Sequence, residues 1–244
     1  MGWAGKAPSA QWLKQWFETE GAYNRDASGI ALIDSNGKGI IAKAPMKGKT
    51  FWEAYQEDIV PKLGDAVFGI AHVRKATHGR PENNANNHPI VLGKNAIIAH
   101  NGIVRPPKWL PATGECDSEQ LGLYFKDKGP EALKEFIGFA AFLYYSKGIL
   151  TAYRWMAPLY ISKFANTVFF TQYRIPQASD NFHAGDLMTV DRDLNIKTVG
   201  IYRMGSNYFY DRTVPLYPYQ MKYDDAVWAD AQELRYDGQY GPGS

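Results

Sequence analysis

Apolar faces and helix-start signals predict four helices. The first covers about residues 9–20, with Ser9 as the N-cap and one apolar face made by Trp12, Leu13, Trp16 and Phe17. The second begins at Thr50, which forms a capping-box pair with Glu53. A third opens near Asp117, where Asp117 and Gln120 occupy capping-box positions. A short fourth begins at Pro130, a favourable first helical residue.

Short apolar runs bounded by turn residues predict the strands. They cover 28–34, 39–43, 67–73, 95–100, 140–145, 149–153, 159–162, 168–171, 187–190 and 196–199. Asn36-Gly37 between the first two runs is typical of a tight β-hairpin. Because the strands are not regularly separated by helices, the pattern indicates an α+β fold with two mainly antiparallel sheets.

A long polar loop over 75–88 interrupts this pattern. It carries Asn83, Asn84, Asn86 and Asn87 and little that could pack. A loop of this length inside a compact domain is more often functional than idle, so we expect it to contribute to a site.

Composition narrows the class of protein. The 244 residues are 45% hydrophobic, 14% aromatic and 21% charged, which excludes a disordered chain, a collagen and a coiled coil. The longest mostly apolar run, 136–145, is half of a membrane span, and no secretory segment is evident, so neither a membrane partner nor secretion is expected. The net charge of +2 is scattered, which argues against a nucleic-acid partner. Cys116 is the only cysteine and forms no internal disulfide, as is usual in a cytoplasmic protein.

The last part of the chain is rich in tyrosine. Eight of the sixteen tyrosines lie between 202 and 240, and Pro215 and Pro218 interrupt regular structure. We predict a domain over 1–204 and an extended arm over 205–244. The arm either packs on its own domain or reaches a protein partner or a second copy of the chain, since tyrosine suits both kinds of contact.

Three segments concentrate reactive side chains: 71–79, 99–102 and 115–119. The guanidinium of Arg74 could bind a carboxylate, and Asp117 could bind an ammonium group. Asn101 and the backbone N–H of Gly102 could stabilise an oxyanion. Together these groups predict a pocket for a zwitterionic amino acid whose carbonyl is attacked.

Four segments resemble motifs of the class II glutamine amidotransferases, an N-terminal-nucleophile family. RDASGIALID (25–34) resembles RGxDSAGIAV, and GIAHVRKATHGRPENNANNHPI (69–90) resembles GHTRWATHGxxxxxNAHPH. IIAHNGIV (97–104) resembles VVHNGII, and CDSEQL (116–121) resembles TDSExL. The strands to about Val199 follow in the family's order.

The resemblance implies a four-layer αββα sandwich and a glutamine pocket, with no cofactor. Arg74 would bind the α-carboxylate of glutamine, and Asp117 would bind its α-amino group. Thr77 and His78 would line the same pocket. Asn101 and Gly102 would form the oxyanion hole.

The chain departs from the family at the nucleophile. The family uses a cysteine made N-terminal by removal of Met, whereas this sequence begins Met1-Gly2-Trp3-Ala4-Gly5. Either Gly2 replaces the cysteine, or the cysteine is deleted and Gly2 to Gly5 form the first strand. Neither alignment leaves a thiol, so the catalytic nucleophile is absent at Gly2. Lys75 also replaces the family's aromatic residue after the arginine.

Other nucleophiles and a metal are less well supported. Cys116 lies between Glu115 and Asp117, which disfavour a thiolate, and Ser9 is better suited to capping a helix. Four histidines, His72, His78, His88 and His100, fall within 29 residues, but no pair has the i, i+4 spacing of a helical zinc site. No metal site is predicted, and His72 and His100 are expected to be structural.

Three functional hypotheses remain open. The preferred one is a domain that does not hydrolyse glutamine and acts as a binding or structural module. Compact copies of this kind resemble those encoded by bacteriophages, so a virion component is one version of it. The second is an active glutaminase whose true N-terminal cysteine is not in this sequence. The third is an amino-acid sensor that uses Arg74, Asp117 and Asn101 without turnover. About 45 residues after Val199 are expected to be too few for a second, synthase domain.

Overall fold

The computed structural model describes residues 1–111, 114–164, 166–173, 179–180 (backbone only) and 182–205. The predicted tyrosine-rich arm lies outside these residues except for its first residue, Gly205. The Gly205 amide donates to the Phe136 carbonyl at 2.8 Å. The boundary predicted at 204/205 therefore stays a prediction.

Sheet A contains seven strands. They are β1 (Gly2–Gly5), β2 (Ala27–Asp34), β3 (Gly39–Ala44), β4 (Ala66–Arg74), β9 (Tyr160–Phe164), β10 (Thr167–Thr171) and β11 (Ser179–Asp180). Their order is β11-β9-β10-β1-β4-β2-β3, and every neighbouring pair is antiparallel. The first strand thus lies at the centre of the sheet, and the predicted hairpin joins β2 to β3.

Sheet B contains six strands. They are β5 (Ile90–Val91), β6 (Ala96–Arg105), β7 (Ile137–Ser146), β8 (Ile149–Trp155), β12 (Asp186–Asp191) and β13 (Ile196–Ile201). Their order is β13-β12-β8-β7-β6-β5, again with antiparallel neighbours.

Helices cover the outer face of each sheet. They are α1 (Ala10–Tyr23), α2 (Gly48–Leu63) and α3 (Asp117–Lys128), with 3₁₀ segments at Asn84–Asn86 and Gly129–Glu135. One buried cluster lies between the two sheets, one between sheet A and the first two helices, and one between sheet B and α3. This is the predicted four-layer αββα sandwich, which is confirmed. No helix among the described residues is long and apolar enough to cross a bilayer.

Some helix predictions need correction. Ser9 is the N-cap of α1, as predicted, and its Oγ accepts from the Trp12 amide at 3.1 Å. In contrast, α2 begins at Gly48, not Thr50, because α1 and α2 touch backbone to backbone at Gly21 and Gly48. The predicted fourth helix is a 3₁₀ helix.

The first strand is fixed by Trp3, whose side chain is fully buried between sheet A and the helices. The indole lies over Gly69 of the neighbouring β4. A Cβ at Gly69 would stand 2.1 Å from Cζ2 of Trp3, so only glycine allows this contact.

We therefore expect Gly69→Ala to lower the free energy of unfolding by about 1–3 kcal/mol, because the buried indole would have to move. Urea unfolding monitored by tryptophan fluorescence measures this change. Gly64→Ala is the matched control, since Gly64 has helical backbone angles and open space around it. The control should be neutral or slightly stabilising. Equal destabilisation by both substitutions would contradict the packing argument.

Candidate functional site

The polar loop after β4 is packed, contrary to the prediction that little in it could pack. Asn86, Asn87 and His88 are all buried. Their amides hold the loop together: Asn86 Nδ2 donates to Glu115 Oε2 at 2.9 Å, and Asn87 Nδ2 donates to the Pro81 carbonyl at 2.7 Å. The buried amides of Asn86 and Asn87 therefore have hydrogen-bond partners, in the loop and on Glu115. Neither ring nitrogen of His88 has a partner among the described residues. The loop is thus held by its own hydrogen bonds and by its contact with Glu115.

Arg74 ends β4 and is 4% exposed. Its Nη1 donates to Asn87 Oδ1 at 3.1 Å, and its Nη2 donates to the carbonyls of His78 and Gly79. These three bonds use three of the five N–H donors of the guanidinium. The other two donors have no acceptor among the described residues.

Asp117 faces Arg74's loop from the start of α3. Its Oδ2 accepts from the Val104 amide at 3.0 Å and lies 4.0 Å from His78 Nδ1. Cys116, not Asp117, is the N-cap of α3, which corrects the predicted capping box. The carboxylate is held both by β6 and by its own helix, because its Oδ1 also accepts from Ser118 Oγ at 3.4 Å.

Gly102 and Asn101 lie on β6, two and three residues before the amide that Asp117 binds. Gly102 has a φ of +139°. It lies close to His100, and a Cβ added at Gly102 would stand 3.0 Å from Nε2 of His100. Asn101 is exposed. The backbone conformation at Gly102 favours glycine.

The remaining predicted residues are placed as follows. Thr77 and His78 are both exposed on the loop, as is Lys75. The structure thus joins Arg74, His78 and Asp117 by direct contacts or close approach, and connects Gly102 to them through β6. It does not show a contact for Thr77.

Met1 lies at the head of β1, beside the end of β4. Its amino group donates to the Ala71 carbonyl at 2.9 Å, and burial lowers the pKa of this amine to about 5, opposed by Glu20. A cavity of about 40 Å³ adjoins Met1 and His72 under α1. This space is large enough for water molecules.

His88 and His100 are buried, and His72 lies partly buried beside His88. The His72 and His88 rings lie 4.4 Å apart between centroids, and His100 Nδ1 is 2.9 Å from Ser118 Oγ. Burial lowers the pKa of His72 to about 3 and also lowers the pKa values of His88 and His100. These rings are therefore neutral near pH 7. In the described part of the chain, no three His, Cys, Asp or Glu side chains are grouped so as to hold a metal ion.

Sequence reasoning missed two residues that shape the site, Asn87 and Lys43. Lys43 Nζ donates to the Asn87 carbonyl at 2.8 Å, and burial lowers the pKa of this lysine. The only signal was the asparagine-rich composition of the loop. Cys116, considered as a substitute nucleophile, is 2% exposed.

Comparisons with known proteins agree with this fold and these motifs. Glutamine--fructose-6-phosphate aminotransferase of Wigglesworthia glossinidia brevipalpis is 40% identical over 79 residues, which are 32% of this chain and 12% of that protein. Glutamine phosphoribosylpyrophosphate amidotransferase from B. subtilis matches with a TM-score of 0.60 at 17% identity, covering 82% of this chain and 49% of that one. The allosteric regulatory enzyme of purine biosynthesis matches with a TM-score of 0.64 at 17% identity, covering 81% and 47%.

No family model matches the chain. The fold is shared with these two solved structures. Taken with the sequence relatives, it supports a domain similar to those of the class II glutamine amidotransferases. The chain spans about an eighth of the length of that first curated relative and about half of each of the two solved structures.

Proposed function

We propose that this domain binds L-glutamine, or a similar amino acid, between Arg74 and Asp117, and that it does not hydrolyse it in the form given by this sequence. The observation that carries the proposal is that the loop bound by the Arg74 guanidinium lies close to the Asp117 carboxylate. His78 accepts from Arg74 through its carbonyl, and its ring lies 4.0 Å from Asp117.

The charges suit a zwitterion. Arg74 offers donors to an α-carboxylate, and charge-assisted hydrogen bonds of this kind are among the strongest in proteins. Asp117 offers a carboxylate to an α-ammonium group, and its side chain is only 9% exposed. An amino acid bound between them would have both of its charged groups paired.

The packing around Gly2, the first residue of β1, supports the absence of hydrolysis. A Cβ at Gly2 would stand 2.5 Å from Cδ1 of Leu143 and 3.1 Å from the Gly69 carbonyl, so Gly2 is closely packed and a side chain there would make its neighbours shift. This favours the alignment in which Gly2 to Gly5 form the first strand and Met1 precedes it. A methionine thioether has no proton to lose and does not act as the family's nucleophile.

A proton NMR titration and time course of L-glutamine with the purified protein tests the proposal. We expect glutamine signals to broaden or shift in a saturable way, with no glutamate formed over many hours. Asp117→Asn should weaken binding at least tenfold, because the ammonium group would lose its ionised partner. Glutamate formation in proportion to protein would refute the non-hydrolysing role, and absence of saturable binding would refute the pocket.

A second candidate is an active glutaminase, favoured by the curated relatives, which are named as glutamine-dependent aminotransferases. It requires an N-terminal cysteine that this sequence does not contain. Mass spectrometry of the N-terminus of the protein from its native source distinguishes the two. The assembly or virion role of the tyrosine-rich arm remains a prediction, because residues 206–244 lie outside the described part.

A further inference from the structure

We infer that Asn87 is a positioning residue that keeps the charge of Arg74 available for an anionic ligand. The inference rests on the proposed function and deepens it, because it makes a free α-carboxylate the feature that the site selects.

Asn87 is completely buried and uses every polar group of its side chain. Its Oδ1 accepts from Arg74 Nη1 at 3.1 Å, while its Nδ2 donates to the Pro81 carbonyl at 2.7 Å and to Asn84 Oδ1 at 3.1 Å. Both hydrogens of the amide are used, so the side chain has a single orientation. The guanidinium is therefore held by a fixed acceptor.

The backbone of Asn87 extends this anchorage to sheet A. Its carbonyl accepts from Lys43 Nζ at 2.8 Å, and Lys43 lies on β3. Asn87 thus connects β3, the end of β4 and the loop over 80–84. A side chain fixed from three directions suits the positioning of a recognition group, because a ligand then does not have to order it.

The acceptors of Arg74 are all neutral. They are the Asn87 amide oxygen and the carbonyls of His78 and Gly79, and no carboxylate lies within 4.0 Å of the guanidinium among the described residues. A buried charge is costly unless it is paired with an opposite one. These three acceptors therefore orient Arg74 without neutralising it, and a bound carboxylate supplies the missing countercharge.

Asn87 also distinguishes this chain from the motif that it resembles. The family segment has alanine before its His-Pro pair, whereas this chain has Asn87 before His88-Pro89. Alanine has no group to contact the arginine.

Asn87→Asp tests the inference, because it keeps the shape of the side chain and places a carboxylate on Arg74 in competition with the ligand. Binding of L-glutamine and of L-glutaminamide, whose α-carboxylate is replaced by an amide, is measured by calorimetry. The wild type should prefer glutamine at least tenfold. In Asn87→Asp we expect glutamine affinity to fall at least tenfold and this preference to approach one. Asn36→Asp, in the exposed β2–β3 turn, makes the same charge change and should leave both affinities unchanged.

The outcomes separate the two proposals. If the wild type does not bind glutamine, both the proposed function and the inference fail. If the wild type binds and Asn87→Asp keeps its preference for the carboxylate, or loses affinity for both ligands equally, the inference alone is overturned. Asn87→Ala is the second variant should the aspartate prevent folding. It should weaken glutamine more than glutaminamide, and an equal effect on both would refute the positioning role.

Discussion

Arg74→Ala is expected to weaken L-glutamine binding at least 100-fold. The α-carboxylate would lose charge-assisted hydrogen bonds worth about 1.5–3 kcal/mol each, and two such bonds correspond to about two or more orders of magnitude in the dissociation constant. Calorimetric titration of the purified variant measures the loss. The affinity of Arg74→Lys for glutamine should lie between those of the wild type and Arg74→Ala, because lysine keeps the charge but not the planar arrangement of donors.

The control for this prediction is Arg192→Ala, which removes one positive charge from the exposed turn between β12 and β13. It should bind glutamine as the wild type does. Thermal melts show whether Arg74→Ala still folds, since it leaves the His78 and Gly79 carbonyls without their donor. A folded Arg74→Ala protein with unchanged affinity would mean that the carboxylate is bound elsewhere.

Much of the fold follows from the local pattern of the chain. The Asn36-Gly37 turn predicts the β2–β3 hairpin, and Ser9 predicts the start of α1, because each depends on neighbours within a few residues. The start of α2 does not follow from local signals. It depends on the contact of Gly48 with Gly21, which belongs to a different helix.

The site also contains residues that local patterns predict and residues that they do not. Residue types and spacing predict Arg74 and Asp117 as the charged pair of a pocket. They do not predict Asn87, because its role depends on Arg74, thirteen residues earlier, and on Lys43, forty-four residues earlier. They also miss the tie of Asp117 to the Val104 amide, since the capping-box pattern favours a local partner. Long-range hydrogen bonds of polar side chains leave no periodic signal.

The buried histidines make the stability of the fold sensitive to acid. The folded protein holds the pKa of His72 at about 3, against 6.5 in the unfolded chain, because burial disfavours the charged ring. Between these values the unfolded chain binds more protons, so stability falls as the pH decreases from about 6.5 toward 3. His72 alone should remove about 3 kcal/mol of unfolding free energy between pH 7 and pH 4, and His88 and His100 add to this in the same direction.

Urea unfolding at a series of pH values measures this dependence. His72→Gln should flatten the curve by about 3 kcal/mol over the same range, because glutamine does not ionise there. An unchanged slope in His72→Gln would show that His72 is protonated with equal ease in the folded and unfolded chains, and that its position in the fold does not disfavour the charged ring.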